Sequence, residues 1–394
     1  MRNKIYLMNA LFLFPMWMSK TLQPLYWDLE NKLDLFSASY VSMAIAGTFS
    51  LLYAGIVRKL GIRTGLIIGY VFYAVGLILR AYPVNLTVAI LTGLIAGIGA
   101  SVTGLALKGL LLEIKEEKRK NVMLQTDNIY TLSQSLGAMA AGVLVSALSF
   151  MSGHGYQQAL IITGLLTLSA VIFIPKLEKH SMAIPHKSYD MKVKKNSFSN
   201  NRMLYSAIFL AFFIHGACWA VVLPLIPVYL KNSGISATWI GITISAGVIA
   251  GLLLKNIYIY FNKQSGSTLS LSLFTLLTCL SISLSFHLFG AGAAIFYASS
   301  IVLFYMFRTV LSLIIDFIEV DIAGKGNAMS VFGIRQTAFL CGDVAGGIAM
   351  PFLYKNGFLE NHTLIFSLAV ILASFLVASC SKLSEKLAWK ETLN

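Results

Sequence analysis

Polar residues in this chain come in short clusters, and the apolar stretches between them are too long and too numerous for a soluble core. A helix needs about 20 predominantly apolar residues to cross the hydrocarbon layer. Stretches of that length, broken by charges or turn residues, predict spans at 5–29, 38–58, 64–82, 86–112, 122–150, 156–175, 203–230, 236–261, 267–289, 291–317, 328–354 and 359–380. The first is the least regular, because Pro15, Lys20 and Pro24 interrupt it. Arg2 and Lys4 ahead of an apolar stretch raise the alternative of a secretory leader. Trp17-Met18-Ser19-Lys20 is a poor cleavage site, so the stretch is read as a helix.

Composition agrees with an all-α polytopic membrane protein of twelve helices. Of 394 residues, 57% are hydrophobic and 12% are charged, against about 25% charged in a soluble domain. Disordered, coiled-coil and disulfide-knotted classes are excluded by the same figures. Cys218, Cys279, Cys341 and Cys380 lie far apart with no CxxC, which implies neither a disulfide framework nor a zinc site. The net charge of +14 would point to nucleic acid in a soluble protein, but its placement matters more than its sum. Of 30 Lys and Arg residues, Lys32, Arg80, Lys231 and Lys355 fall on the side opposite the N-terminus, and Lys20, Lys108, Lys255, Arg308 and Arg335 fall within spans. The remaining 21 lie on the N-terminal side. That asymmetry predicts cytoplasmic termini and leaves no nucleic-acid partner to explain. Contact with anionic lipid headgroups is a lesser use of the same charge.

The longest polar stretch, 176–202, holds seven basic and two acidic residues and splits the spans six to six. It is expected to be a solvated cytoplasmic linker between bundles at 1–175 and 203–380, with a cytoplasmic tail at 381–394. An internal repeat supports that division. At an offset of 200, Pro24-Leu25 matches Pro224-Leu225, Ala46-Gly47 matches Ala246-Gly247, and Lys108 falls opposite Arg308. At an offset of 205, Gly137 to Gly142 matches Gly342 to Gly347. Two six-helix halves repeated in parallel are what a transporter needs to rock about a midplane site.

The chain resembles the major facilitator superfamily of secondary transporters over essentially its whole length. Ala54 to Arg63 is similar to that superfamily's loop signature G-x-x-x-D-R-x-G-R-K, with Lys59, Gly61 and Arg63 at signature positions and Arg58 where an acid is expected. Gly97-Ile98-Gly99-Ala100 resembles the tail of R-x-x-Q-G-x-G-A, with Gly93 at the arginine position. Gly137 to Gly142 is similar to the antiporter signature G-P-x-x-G-G, with alanine at two positions, and its echo around Gly342, Gly346 and Gly347 carries Asp343 in the proline position. Small residues at this spacing also let helices pack closely. The resemblance points to the drug and metabolite exporter branch.

The resemblance implies that the first, fourth, seventh and tenth spans line a central cavity. Lys20, Lys108 and Arg308 belong to that set and are candidates for binding an anionic group, Arg308 with a bidentate fork. The competing reading is structural pairing with an acid, or snorkelling of Lys108 to the nearby membrane surface. Gln23, Trp219 and Tyr305 are further binding candidates, beside Trp17, Tyr26 and His215. Lys255 is close enough to a span end to snorkel, and solvation accounts for Glu113 and Asp316 at the membrane margin. For proton coupling, the intramembrane carboxylates are Asp343 and Asp127, with Arg335 or Arg308 as a fixed partner in the alternative reading.

Together these features predict a proton-coupled secondary transporter, acting as a monomer in a bacterial plasma membrane. It is expected to export a small anionic or amphipathic compound such as a drug, a secreted metabolite or a carboxylate-type metal chelator. Uptake of an anionic nutrient or metal chelate is the alternative. There is no P-loop and no GxGxxG, so no nucleotide cofactor is expected. Scattered histidines and the lack of DDxxD or HxxxxD disfavour a membrane lipid-modifying enzyme.

Overall fold

The structure is a computed structural model of the chain. It describes residues 2–112, 116–152, 154–174, 202–262, 268–289, 294–324, 328–357 and 361–393. The linker expected at 176–202 and the margin residue Glu113 therefore lie outside the described residues, save Arg202, which opens a helix. Among the described residues the regular structure is helical. The elements are α1 (Arg2–Leu29), α2 (Leu33–Thr48), α3 (Ser50–Leu60), α4 (Ile62–Leu79), α5 (Leu86–Leu112), α6 (Glu116–Ser152), α7 (Gly155–Ser169), α8 (Arg202–Val222), α9 (Ile226–Asn232), α10 (Ala237–Asn262), α11 (Thr268–Leu288), α12 (Ala294–Gly324), α13 (Ala328–Lys355) and α14 (Thr363–Leu393).

Ten helical stretches among the described residues are long and apolar enough to cross a membrane. The two predicted spans outside that set have physical reasons for missing it. Helix α1 has ample length, 28 residues or about 42 Å at 1.5 Å per residue, but carries Asn3, Lys4, Asn9, Lys20, Gln23 and Asp28. It nonetheless runs unbroken through Pro15 and Pro24, as a proline can where neighbouring helices accommodate the freed carbonyl. The second span is divided at Phe49, where Thr48 turns its hydroxyl back to the Ile45 carbonyl at 2.7 Å and Gly47 weakens the turn before it. The seventh span is likewise jointed. Pro224 and Pro227 leave a tight turn, Leu223–Leu225, between α8 and α9. At the other end of the chain α14 continues to Leu393, past the expected span end at 380.

Packing repeats with a six-span period. In the first half α1 packs on α6 and α7, α2 on α5, and α4 on α5 and α7. The second half reproduces each pairing: α8 on α13 and α14, α10 on α12, and α11 on α12 and α14. The most extensive contacts between the halves are α6 with α10 and α2 with α13. Each is the image of the other under the same repeat, so the halves are related by a pseudo-twofold axis running through the centre of the bundle.

The matching glycines do matching work. A Cβ on Gly137 would lie 2.7 Å from the Phe14 carbonyl oxygen of α1, and one on Gly342 would lie 2.1 Å from the Phe213 carbonyl oxygen of α8. Five residues on, Gly142 faces the Ala237 carbonyl of α10 in the other half, and Gly347 faces Tyr40 and Val41 of α2. Hydroxyls seal the same two seams. Ser37 donates to the Gly347 carbonyl at 2.6 Å, and Ser135 and Ser245 bond at 2.7 Å. The packing explanation of the glycine motif thus has direct geometric content.

Candidate functional site

Around the pseudo-twofold axis, α1, α2, α6, α8, α12 and α13 bring together Lys20, Tyr40, Tyr130, Trp219, Tyr305, Arg308 and Asp343. Lys20 is surrounded by protein at mid-span, yet its side chain is open to water, so it lines an internal gap. Its ammonium lies 4.4 Å from the centroid of the Trp17 ring, one turn earlier on α1. Arg308 is held in the same manner from the other half, its guanidinium carbon 5.1 Å from the centroid of the Trp219 ring. Trp219 is itself anchored, its indole N–H donating to His215 Nε2 at 2.6 Å. That bond makes His215 an acceptor at Nε2 and hence a neutral, hydrogen-bonded packing residue.

Neither cation has a carboxylate within ion-pair distance among the described residues. Among the described residues, Asp343 is the one carboxylate whose charge reaches both Lys20 and Arg308, and it also reaches the Tyr40 hydroxyl. The Arg308 Nε and the Trp17 Nε1 are buried without a partner. A π-face receives a cation without cancelling its charge. The gap is therefore a positive region with indole walls and a single carboxylate.

Of the other predicted site residues, Gln23, Asp127 and Arg335 are spent elsewhere. Gln23 donates its amide to Ser39 Oγ at 3.3 Å, tying α1 to α2. Tyr305 lies a turn from Arg308, buried against Phe304 at 5.4 Å between ring centroids. Lys108 lies on α5, but its side chain is outside the described residues. Asp127 of α6 is in close ion-pair contact with Lys255 of α10. Lys255 is 3% exposed, so it is a buried partner at the seam and not the snorkelling residue the sequence implied. Arg335 of α13 is shared by Asp316 at 2.7 Å and by Glu319, both on α12. The sequence left Asp316 to solvent and did not single out Glu319. An acid three residues after Asp316 on one helix face was the available signal.

At the face opposite the N-terminus, two ion pairs close the halves against each other. Asp28 of α1 meets Lys231 of α9 at 2.9 Å, and Asp34 of α2 meets Lys355 of α13 at 2.7 Å. Helix α1 packs on α9 there, and no packing of that extent joins α5 to α12 among the described residues.

The family model of the Major Facilitator Superfamily matches residues 5–347. The chain belongs to the major facilitator superfamily. Its fold is shared with solved transporters of that type. A D-xylose-proton symporter superposes with a TM-score of 0.69 at 13% identity, over 95% of this chain and 96% of that one. A nucleoside transporter gives 0.69 at 16% identity over 96% and 98%. A POT family transporter in complex with 5-aminolevulinic acid gives 0.70 at 13% over 97% and 96%. Among curated proteins, Sugar transport protein 10 of Arabidopsis thaliana is 25% identical over 151 residues, 38% of this chain. The chain spans 28% of the length of that relative. The protein is a multi-pass membrane transporter rather than an enzyme.

The superfamily loop signature falls between α3 and α4. Gly61 joins them at a φ of 88°, a left-handed conformation that favours glycine, while Lys59 and Arg63 are exposed at the surface. The side chain of Arg58, at the acid position, is outside the described residues.

Proposed function

We propose that this chain is a proton-coupled secondary transporter that exports a small anionic or amphipathic compound by alternating access. The observation that carries the anion reading is the pair Lys20 and Arg308. The two halves each contribute a mid-span cation laid on an indole and, among the described residues, left without an ion-pair partner. Cations without a negative partner inside a span are costly, and a bound anion offsets that cost. Asp343 lies beside the same two cations that an anionic substrate would meet, which makes it the carboxylate placed to take up and release a proton during the cycle. Acid outside would drive a proton inward through Asp343 as the substrate leaves. The similarity of Gly137–Gly142 to the antiporter signature supports export. Uptake is the second reading, favoured by the symporter among the solved structures of the same fold.

The rest of the picture follows the charge distribution. Termini and the linker at 176–202 face the cytoplasm of a bacterial plasma membrane, the halves are 1–175 and 203–380, 381–394 is a cytoplasmic tail, and one chain suffices as the transporting unit. Basic residues on the inner face rest against anionic lipid.

The test begins with small-molecule profiles of cells with and without the gene, taken inside and in the medium. Cargo trapped inside the deficient cells means export, and cargo left in their medium means uptake. With that cargo, Arg308→Gln should weaken binding by about tenfold or more, the loss of a charge-assisted contact. Asp343→Asn should abolish uphill transport while sparing binding and exchange. Unchanged affinity in the first variant would remove the anion site, and full concentrative transport in the second would remove Asp343 from coupling.

A further inference from the structure

Arg80 caps α4 at the end remote from the N-terminus, where the sequence counts it with the charges on that side of the membrane. Its side chain instead folds into the first half and is 3% exposed. The backbone is pinned there by the fully buried Trp27, whose indole N–H donates to the Arg80 carbonyl at 2.8 Å. One guanidinium nitrogen donates to Ser19 Oγ at 2.8 Å and the other lies 3.2 Å from Met43 Sδ. The Nε has no partner, and no carboxylate lies within ion-pair distance among the described residues. Ser19 precedes Lys20 on α1, and the charge of this guanidinium reaches the ammonium that lines the gap.

Lys20 therefore feels Arg80 and Arg308 as well as Asp343. Lys20 and Arg308 face Asp343, and Arg80 acts on Lys20 from outside the gap, so three cations are set against one carboxylate, an excess of two positive charges with Asp343 ionised. At a protein surface, salt and water would absorb that excess. Inside a span the cost is steep, and such charges are kept where something negative enters.

We infer that the substrate is a small dianion, one negative pole held by Lys20 with the charge of Arg80 in support and the other by Arg308. This rests on the anion reading above and adds the charge number to it. Arg80 is a positioning residue. It acts through Ser19 and Lys20, supplying charge to the first half's pole without reaching the gap itself. The two poles belong to opposite halves, so the dianion bridges them, and the Trp17 and Trp219 faces behind the cations suit a compact body with apolar surface between its charges.

The experiment uses the purified full chain and probe pairs that differ by one charge, phthalate against benzoate and succinate against butyrate. Thermal stabilisation is measured at constant ionic strength. The expected result is half-maximal stabilisation by each dianion at a concentration about tenfold or more below that of its monoanion, as one additional charge-assisted contact provides. Arg80→Lys should keep that preference, whereas Arg80→Gln should shrink the ratio without abolishing monoanion binding. A purely structural role for Arg80 would change the melting temperature of the free protein and leave the ratio untouched. If Arg80→Gln does not fold, Lys20→Gln reads the same ratio from the gap side and should also shrink it. Equal response to both members of each pair overturns the dianion and leaves the anion site standing. A response to methylated ammonium or to sugars in preference to all four acids overturns both. No response to either dianion overturns the dianion proposal.

Discussion

A lysine or arginine at mid-span is costly wherever it stands, so its nearest neighbours decide what it is for. Lys255 and Arg335 meet carboxylates on an adjoining helix, whereas Lys20 and Arg308 meet indoles. The sequence set Lys255 aside as a snorkelling residue and could not find its partner, because partners 128 residues apart, as Asp127 and Lys255 are, leave no trace in local spacing. It did single out Asp343, Lys20 and Arg308, since an ionisable residue inside an apolar run is conspicuous by itself. Arg80 was passed over because its place near the end of the predicted span 64–82 assigns it to the side opposite the N-terminus, where a charge needs no buried role. The pairing yields a prediction that separates the two candidate carboxylates. Asp127→Asn leaves buried Lys255 without its partner and should lower stability by about 1–3 kcal/mol, less than a fully buried pair because Asp127 is 44% exposed. Adding Lys255→Met should recover most of that loss in thermal unfolding. Uphill transport should survive in the double variant, and its loss would return Asp127 to the coupling mechanism.

At the scale of elements, hydropathy was sufficient for most of the bundle and failed where a helix is polar or bent. The fourth span is predicted at 86–112 and observed over the same residues, and the ninth differs by a residue at each end. Helix α1 and the α2–α3 pair are the exceptions. One carries polar residues along its length, with Asn9 and Gln23 buried against neighbouring helices, and the other is divided by Gly47 and Thr48, so neither is uniformly apolar over a full crossing. The glycine echo was legible as a repeat, yet the sequence could not tell which helix each glycine meets. The structure separates them by what a methyl group would strike. At Gly142 and Gly342 it meets backbone carbonyls at 2.3 Å and 2.1 Å, which cannot move without separating helices. At Gly347 it meets side-chain atoms of Val41 and Tyr40 at 2.9 Å and 3.0 Å, which can turn aside. Gly142→Ala and Gly342→Ala are therefore expected to cost about 1–3 kcal/mol each, read as a lower melting temperature in detergent. Gly347→Ala should cost less than either. Equal losses at the three positions would mean that the seams are looser than this packing implies.

For the whole molecule, the closed face opposite the N-terminus depends on contacts that must break when the halves rock. Asp28–Lys231 and Asp34–Lys355 both cross between the halves, but they are not equivalent. The first is largely screened from water, with side chains 20% and 29% exposed, and the second is open, with both near 60%. Exposed pairs contribute about 0–1 kcal/mol, and partial burial raises the value within or just above that range. A pair present in one conformation and absent in the other shifts their ratio by its full worth, about fivefold for 1 kcal/mol. Asp28→Asn should thus move the population several-fold toward opening of this face. Asp34→Asn should move it little, and only the Asp28 effect should persist in high salt. The exchange Asp28→Lys with Lys231→Asp should restore the original balance, which no account based on lost helix stability predicts. Spin labels placed on exposed positions at the ends of α1 and α9 measure the separation of the halves directly. A distance distribution unchanged by Asp28→Asn would show that helix packing alone, and not this ion pair, holds the face closed.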